Sequence, residues 1–159
     1  MASSLSLIVV LCLTSGLWLG ADAHCGGDCP VCPVGWTQYG CHCLKFFSAA
    51  LPWADAQVAC VKEGANLASV NSKEEHTFVR DLIKASDSEN PRTYIGGNDI
   101  FKEGQWMWAD GLNFEFPGWL AGEPNDFKNK EDCLELNFRD AGNDIDCSSP
   151  KPYVCSMHV

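Results

Sequence analysis

The chain has 159 residues, 46% of them hydrophobic, with 21 acidic and 11 basic side chains and a formal net charge of −10 at pH 7. This length and hydrophobic content are enough for one ordinary domain with a buried core. So acidic a surface is not expected to bind nucleic acid, whose phosphates are neutralised by Lys and Arg.

Residues 1–23 have the pattern of a signal peptide. Ser6 to Gly20 is a short apolar run without a charge, and Ala21-Asp22-Ala23 provides a small-x-small cleavage site. The run is too short for a comfortable membrane span, and no later segment is apolar enough for one. We therefore predict a secreted, extracellular protein without a membrane span. Cleavage would change the formal charge from −10 to about −9, because Asp22 is the one charged side chain removed.

Nine of the ten cysteines follow the predicted cleavage site, and in an oxidising compartment so many cysteines indicate a disulfide framework. Five of them lie close together near the new N-terminus: Cys25, Cys29, Cys32, Cys41 and Cys43. Their CPVC motif would suggest a redox pair or zinc in a cytosolic protein, but secretion favours disulfides and no second ligand pair at zinc spacing follows. Because the count is odd, at least one cysteine is left over. We divide the mature chain into a short Cys-containing segment, residues 24–31, and one domain, residues 32–159.

Two helices are predicted in the first half of the domain. The first begins at Trp53 and ends at Gly64, and its apolar residues recur at helical spacing. These apolar positions are Ala54, Val58 and Val61. The second begins at a capping box, Ser72-x-x-Glu75. Its apolar face consists of Phe78, Val79, Leu82 and Ile83.

Beyond Tyr94 the pattern changes to short aromatic and β-branched runs separated by Gly, Asn, Asp and Pro, which predict short strands with turns. The stretch from about residue 109 to 131 has little regular pattern. A loop of that length inside a compact domain is usually functional.

The end of this loop, GEPNDFKNKEDC at residues 122–133, is rich in side-chain oxygens. Irregular backbone with carboxylates and amide carbonyls suits calcium, which takes six to eight oxygen ligands. Glu123 and Asn125 flank Pro124, and a cis bond at that proline would turn the carbonyl oxygens of both neighbours toward one ion. Acids and amides on a loop are also common as plain solvated surface, and the alternating ligand run of an EF-hand is absent.

The spacing of the motifs resembles that of the C-type lectin domain family over nearly the whole mature chain. The segments that carry the resemblance are CPVGWTQYGCHC, WADAQVAC, ANLASVNSKEE, YIGGND, WMWADG, the triplet EPN, EDC, the Asn143-Asp144 pair and the terminal CSSPKPYVC. The resemblance implies an α+β fold with two helices, two small antiparallel sheets and a long calcium-binding loop. It also implies three disulfides, namely Cys32–Cys43, Cys60–Cys155 and Cys133–Cys147.

By the same resemblance, two calcium ions are expected. The residues implied to hold the principal calcium and the sugar are Glu123, Asn125, Glu131, Asn143 and Asp144. The residues that match auxiliary calcium ligands are Asp99, Glu103, Asp126 and Asp132. The family usually has a tryptophan before the Asn-Asp pair, whereas this chain has Gly142.

A secreted chain with one such domain is most similar to the fish lectins of the ladderlectin, venom-lectin and type II antifreeze group. We therefore predict a calcium-dependent lectin for glycans on cell or microbial surfaces, acting in innate defence or agglutination. Galactose-binding or venom lectins and ice-binding proteins of the same fold are the alternatives, because the fold does not determine the function.

The expected mechanism is direct ligation of two neighbouring sugar hydroxyls by the calcium ion. The carboxylates accept hydrogen bonds from these hydroxyls, and the side-chain amides of Asn125 and Asn143 donate to them. Glu123 before the proline and Asn125 after it predict mannose-type selectivity, since galactose-type members of the family have Gln and Asp there. Weak single sites require several domains together, and a leftover cysteine among Cys25, Cys29 and Cys41 would allow a disulfide-linked homo-oligomer.

No enzyme is predicted. The Gly-x-Ser-x-Gly and His-Glu-x-x-His motifs are absent. A glycosidase needs an acid with a raised pKa, whereas calcium beside a carboxyl group lowers its pKa. The four histidines are scattered, and His76 on the second helix is expected to face solvent.

Overall fold

The computed structural model describes residues 29–159. The predicted signal peptide, Cys25 and most of the 24–31 segment lie outside the described residues. In the described part, no helix is long and apolar enough to cross a membrane. The helices are α1 (Trp53–Lys62) and α2 (Lys73–Ser86). The strands are β1 (Thr37–Tyr39), β2 (His42–Leu51), β3 (Asn66–Leu67), β4 (Thr93–Asn98), β5 (Met107–Trp108), β6 (Cys133–Phe138), β7 (Ala141–Ile145) and β8 (Lys151–His158).

The strands form one mixed sheet in the order β1-β2-β8-β4-β6-β7, with β3 on β8 and β5 on β4. This confirms the α+β class with two helices. The two antiparallel parts that were expected as separate sheets are joined, because β4 lies beside β8 in parallel orientation at Tyr94 and Tyr153. The part with β4, β6 and β7 carries the long loop, and the part with β1, β2 and β8 contains the first two strands and the last strand of the described residues.

Helix α2 follows its prediction closely. The Ser72 side chain accepts a hydrogen bond from the backbone N–H of Glu75, and the Glu75 carboxylate accepts from the backbone N–H of Ser72, which completes the capping box. Val79 and Ile83 are buried, and Phe78 and Leu82 pack against the same core. Local pattern and local capping were therefore sufficient to predict this helix.

Helix α1 has the predicted start but buries a different face. Val58 and Val61 are 53% and 57% exposed, whereas Trp53, Ala56 and Cys60 are buried. Two tertiary contacts determine this orientation: the Trp53 indole N–H donates to the Ile95 carbonyl at 2.9 Å, and Cys60 is bonded to Cys155 on β8. The predicted apolar face was wrong, because the tertiary contacts of Trp53 and Cys60 orient the helix so that these two residues are buried and the two valines are exposed.

Four disulfides connect the described cysteines. Three are the pairs that the resemblance implied: Cys32–Cys43, Cys60–Cys155 and Cys133–Cys147. The fourth joins Cys29 to Cys41. The four described cysteines of the N-terminal cluster are therefore engaged in disulfide bonds and not in zinc ligation.

The long loop between β5 and β6 rests on a cluster of aromatic rings. The cluster comprises Trp106, Trp108, Phe114, Phe116 and Trp119, whose neighbouring ring centroids lie 4.6–6.4 Å apart. His76 belongs to it, with its ring edge-on to Phe116 at 5.5 Å. The prediction that His76 faces solvent was wrong: its Nε2 atom is buried, and burial together with the nearby Arg80 lowers its pKa.

Gly142 is the point where the loop meets the sheet. The Gly142 N–H donates to Gly118 O at 2.7 Å, and the Leu120 N–H donates to Gly142 O at 2.9 Å. A Cβ atom on Gly142 would lie 2.7 Å from Cζ of Phe116. The Phe116 ring therefore fills the space beside Gly142, where this chain lacks the tryptophan usual in the family.

The close approach of Phe116 to Gly142 predicts a loss of stability in Gly142→Ala. An extra methyl group in a well-packed region costs about 1–3 kcal/mol, and we expect chemical denaturation to show a decrease in this range. The control is Gly142→Ala combined with Phe116→Leu: the smaller side chain should relieve the overlap, so the two changes together should cost less than the sum of their single effects. Strictly additive effects would contradict this account.

Candidate functional site

Asp144 on β7 lies at the centre of the predicted principal site. Its side chain is fully buried, and one oxygen, Oδ2, accepts hydrogen bonds from the backbone N–H groups of Asn125 at 2.9 Å and Asp126 at 2.6 Å. Its other oxygen, Oδ1, is buried without a hydrogen-bond partner among the described residues. The aspartate thus ties the loop to the sheet with one oxygen and leaves the other available.

Glu123 and Asn125 lie together on either side of Pro124, and the Glu123–Pro124 peptide bond is cis. The Asn125 side-chain amide donates to Oε2 of Glu123. Burial raises the pKa of Glu123 first, and the adjacent Asp144 carboxylate raises it further through its competition for the same proton and through its charge, against the opposing hydrogen bond from Asn125. An acidic side chain whose pKa is raised in this way is one that a cation would stabilise.

Glu131 faces the same loop from its far end. Its Oε2 atom accepts from the Phe127 N–H at 3.1 Å, and its own N–H donates to Oδ1 of Asp126 at 3.2 Å. Partial burial raises its pKa, and the charges of Asp144, Glu135 and Asp126 add to this shift. The sequence-predicted residues Glu123, Asn125, Glu131 and Asp144 therefore come together around the end of the loop.

Asn143 differs from the expectation. Its side-chain NH2 group donates to Oε1 of Glu135 at 3.0 Å and also to the backbone carbonyl of Asp144. The side-chain nitrogen thus has two acceptors within the protein, whereas the predicted role for it is to donate to a sugar hydroxyl. The Oδ1 atom of Asn143 is the group that remains for a ligand.

Glu135 is the residue of this region that sequence reasoning missed. It is fully buried on β6, between Arg92 and Lys151. In CLELNF it resembles any acidic residue that alternates with leucines along a strand and faces solvent. The pattern contains no signal for a buried carboxylate, because its partners come from β8 and from the start of β4.

Three of the predicted auxiliary residues form a second acidic cluster. Carboxylate oxygens of Asp99, Glu103 and Asp132 all lie within 4.8 Å of one another. Asp99 is 2% exposed, and its Oδ2 accepts from the Gly104 N–H at 2.8 Å. Burial, followed by the charges of Asp132 and Asp144, raises its pKa.

The fourth auxiliary residue, Asp126, links this cluster to the loop. Its charge, together with those of Asp99 and Asp132, adds to the desolvation that raises the pKa of Glu103. The Asp126 carboxylate also accepts from the Glu131 N–H. The nine predicted site residues therefore lie in one continuous region, with the single exception that the amide of Asn143 is turned inward.

This region fits a hard divalent cation. Oδ1 of Asp99 and Oδ1 of Asp144 are buried without a hydrogen-bond partner within residues 29–159, and such an orphaned carboxylate oxygen is costly unless charge compensates it. All candidate ligands are carboxylate or amide oxygens, which calcium prefers. The residues that could hold such ions are those of the two predicted sets.

The raised pKa values of Asp99, Glu103, Glu123 and Glu131 predict an unusual pH dependence of stability. Because the folded chain holds these protons more tightly than the unfolded chain, the slope of stability against pH is negative between the ordinary carboxyl pKa and the raised one. These groups should therefore raise the melting temperature in EGTA as the pH falls from 7 toward about 4.5. In excess calcium the increment that calcium adds should shrink over the same range, since protons compete for the ligands.

Glu123→Gln with Glu131→Gln is the matched variant, because it removes two of these groups and should flatten the slope measured in EGTA. An unchanged slope would show that the two carboxyls do not titrate in this range.

Comparison with known proteins confirms the resemblance in family and fold. Residues 49–157 match the lectin C-type domain. The galactose-specific lectin nattectin of Thalassophryne nattereri is 38% identical over 160 residues, which cover 100% of each chain. The solved structure of herring type II antifreeze protein superposes with a TM-score of 0.74 at 33% identity, over 80% of this chain and 99% of that one. The C-type lectin CEL-I of Cucumaria echinata gives a TM-score of 0.75 at 29% identity, over 79% and 96%.

The chain belongs to the C-type lectin family. Its relatives include a lectin and a type II antifreeze protein, as the motif resemblance predicted. Carbohydrate binding is the property that this family and its lectin members indicate. The presence of antifreeze proteins among them means that the site, not the fold, must decide the function.

Proposed function

We propose that this protein is a secreted, calcium-dependent lectin with mannose-type selectivity that binds glycans on cell or microbial surfaces. The observation that carries the proposal is the meeting of Glu123, Asn125, Glu131 and Asp144 at the loop end, where Oδ1 of Asp144 has no partner among the described residues. A solvated surface loop would not be expected to bury such an oxygen.

The chain's own residues would have distinct tasks in sugar binding. Bound calcium would supply coordination positions for two neighbouring hydroxyl groups. Glu123 and Glu131 are half-buried carboxylates that can accept hydrogen bonds from those hydroxyls. Asn125 is exposed and has a second N–H to donate, beside the one it gives to Glu123. Asp144 keeps the backbone of Asn125 in place.

Glycan-array binding in calcium and in EGTA, together with calorimetric titration of the stripped protein, tests this proposal. We expect saturable calcium binding, a higher melting temperature in calcium through linkage, and glycan binding that EGTA abolishes. Single sites should bind monosaccharide with millimolar affinity, about −4 kcal/mol. If calcium produced neither heat nor a change in melting temperature, the lectin proposal would be wrong and an ice-binding or protein-binding role would replace it.

Mannose-type selectivity rests on the order of groups around Pro124. Glu123 provides an acceptor before the proline and Asn125 a donor after it, and the protein fixes both directions. We expect mannose to elute the protein from a glycan column at lower concentration than galactose. Glu123→Gln with Asn125→Asp should reverse the order. If galactose eluted the unmodified protein first, the triplet would not determine selectivity here.

The exposed side chain of Phe127 is the observation that supports galactose as a second candidate ligand. Its side chain is 60% exposed although its backbone N–H is bound to Glu131, so an apolar ring lies at the surface beside the proposed sugar site. Nζ of Lys128 lies 5.0 Å from the centroid of this ring. Aromatic rings bind apolar faces of ligands, and galactose has such a face below its axial hydroxyl. Phe127→Ala distinguishes the two: it should weaken galactose binding several-fold in a galactose lectin and leave the mannose affinity of a mannose lectin nearly unchanged.

The proposal makes the protein a binding protein and not an enzyme. Its acids are arranged around a cation site, where the ion would keep them ionised, whereas glycoside hydrolysis requires one carboxyl group to donate a proton. Prolonged incubation with glycosides should therefore release no free sugar, which a reducing-sugar assay would detect.

We also propose a disulfide-linked homo-oligomer through Cys25. The pairing of Cys29 with Cys41 uses two of the three cysteines that the implied bridges leave over. An intermolecular bond at Cys25 would bring weak sites together and raise the avidity. A non-reducing gel should show a dimer that Cys25→Ser abolishes without changing the calcium affinity of each domain. A monomer in the unmodified protein would contradict this part of the proposal.

A further inference from the structure

Glu135 is a carboxylate with no solvent exposure, enclosed by two cations and one amide. Arg92 forms an ion pair with Oε1, and its Nε donates to the same oxygen at 2.9 Å. Nζ of Lys151 lies 3.7 Å from Oε2. The remaining partner is the side-chain NH2 group of Asn143, which donates to Oε1 at 3.0 Å.

We propose that Glu135 is a positioning residue that holds the Asn143 amide with its carbonyl oxygen, Oδ1, turned toward the calcium ligands. The proposal rests on the proposed calcium-dependent function. An amide can otherwise rotate by half a turn and exchange its oxygen and nitrogen. In the rotated state Oδ1 of Asn143 would face the Glu135 carboxylate, and two acceptors would be left opposing each other in a buried place.

The cations on Glu135 are part of the same arrangement. Arg92 and Lys151 lie against the carboxylate, and both are only partly exposed, at 38% and 19% of their side chains. A carboxylate paired with two cations accepts hydrogen bonds and donates none, so the Asn143 side chain presents its nitrogen, and not its oxygen, to Glu135.

This orientation also restricts the contacts of Asn143 with a sugar. Both of its N–H groups are used inside the protein, one by Glu135 and one by the backbone carbonyl of Asp144. Oδ1 of Asn143 is therefore the atom left for a metal ion, while its side-chain nitrogen already has two acceptors within the protein. The amide donor for the sugar is Asn125.

The proposal is tested by exchanging the acceptor on Glu135 and the donor on Asn143. Glu135→Gln removes the charge that selects the rotamer, and Asn143→Asp places two carboxylates against each other. We expect each single variant to weaken calcium binding about 10–100-fold, the usual effect of losing a group that orients a metal ligand. The combination Glu135→Gln with Asn143→Asp restores one donor facing one acceptor, and it should bind calcium at least tenfold more tightly than the weaker single variant. Glu89→Gln, a change of the same charge at an exposed residue, is the control and should keep wild-type affinity.

A second measurement reads the orientation without calcium. In nitrogen-15 spectra of the calcium-free protein, the side-chain amide protons of Asn143 should be protected from solvent exchange, and Glu135→Gln should remove this protection. Wild-type calcium affinity in Glu135→Gln, or a double variant no better than the single ones, would overturn the positioning role. If the unmodified protein binds no calcium, the proposed function fails, and the protection of the Asn143 amide alone then decides whether Glu135 holds it.

Discussion

Replacing Asp144 by alanine should abolish calcium and glycan binding and also destabilise the calcium-free protein. The side chain is fully buried and accepts hydrogen bonds from the backbone N–H groups of Asn125 and Asp126. Each buried donor left without a partner costs about 1–3 kcal/mol, so we expect a loss of about 2–4 kcal/mol in urea denaturation in EGTA, since the loop can partly rehydrate.

Asp144→Asn separates the two tasks of this residue. An asparagine keeps one oxygen that can accept the loop N–H groups but loses the negative charge that a cation needs. It should therefore retain most of the stability measured in EGTA while losing the increase in melting temperature that calcium provides. If Asp144→Asn bound calcium within a few-fold of the unmodified protein, Asp144 would not be a principal ligand.

Removing the Cys60–Cys155 disulfide should have the largest effect on stability. The bond closes a segment with a sequence separation of 95 between α1 and β8. In the chain-entropy account a loop of about 100 residues contributes about 4.7 kcal/mol. We expect Cys60→Ala with Cys155→Ala to lower the free energy of unfolding by about 4–5 kcal/mol and the melting temperature by on the order of 15 °C.

The Cys133–Cys147 disulfide is the matched comparison because it spans a sequence separation of 14. Its loss should cost about 3 kcal/mol on the same account. It flanks β7 and its Asn143-Asp144 pair, so its removal should also weaken calcium binding, whereas removal of Cys60–Cys155 should affect calcium mainly through stability. A larger loss of stability from the short disulfide would show that packing, not chain entropy, dominates at these positions.

The elements predicted best from sequence are those whose determinants are local. The capping box of α2 lies within four residues and its apolar face follows the helical period, so a short stretch of sequence is enough to predict both. The buried face of α1 depends on where Trp53 and Cys60 find partners on other elements, which no window contains. The parallel contact between Tyr94 and Tyr153 likewise joins residues that are far apart in the chain.

The candidate site divides in the same way. Motif spacing predicts the acids and amides of the loop as site residues, because their order along the chain is the signal. It did not identify Glu135, whose burial comes from Arg92 and Lys151, nor the inward turn of the Asn143 amide. The absence of tryptophan at Gly142 was visible in the sequence, but the ring that fills the space comes from Phe116, 26 positions earlier in the loop.

The pairing of β2 with β8 determines how copies of this domain can be presented. His42 lies opposite His158, and the Val159 N–H donates to Cys41 O at 2.9 Å. Because Cys29 is bonded to Cys41, both ends of the described residues lie close together. The strand order puts β6 and β7 at the opposite edge of the sheet. Molecules that are joined, immobilised on a bead or fused to a carrier through either end therefore hold their loops outward from the junction. We expect such joined molecules to bind glycans on two separate particles at once, and not to bind one soluble oligosaccharide with several loops.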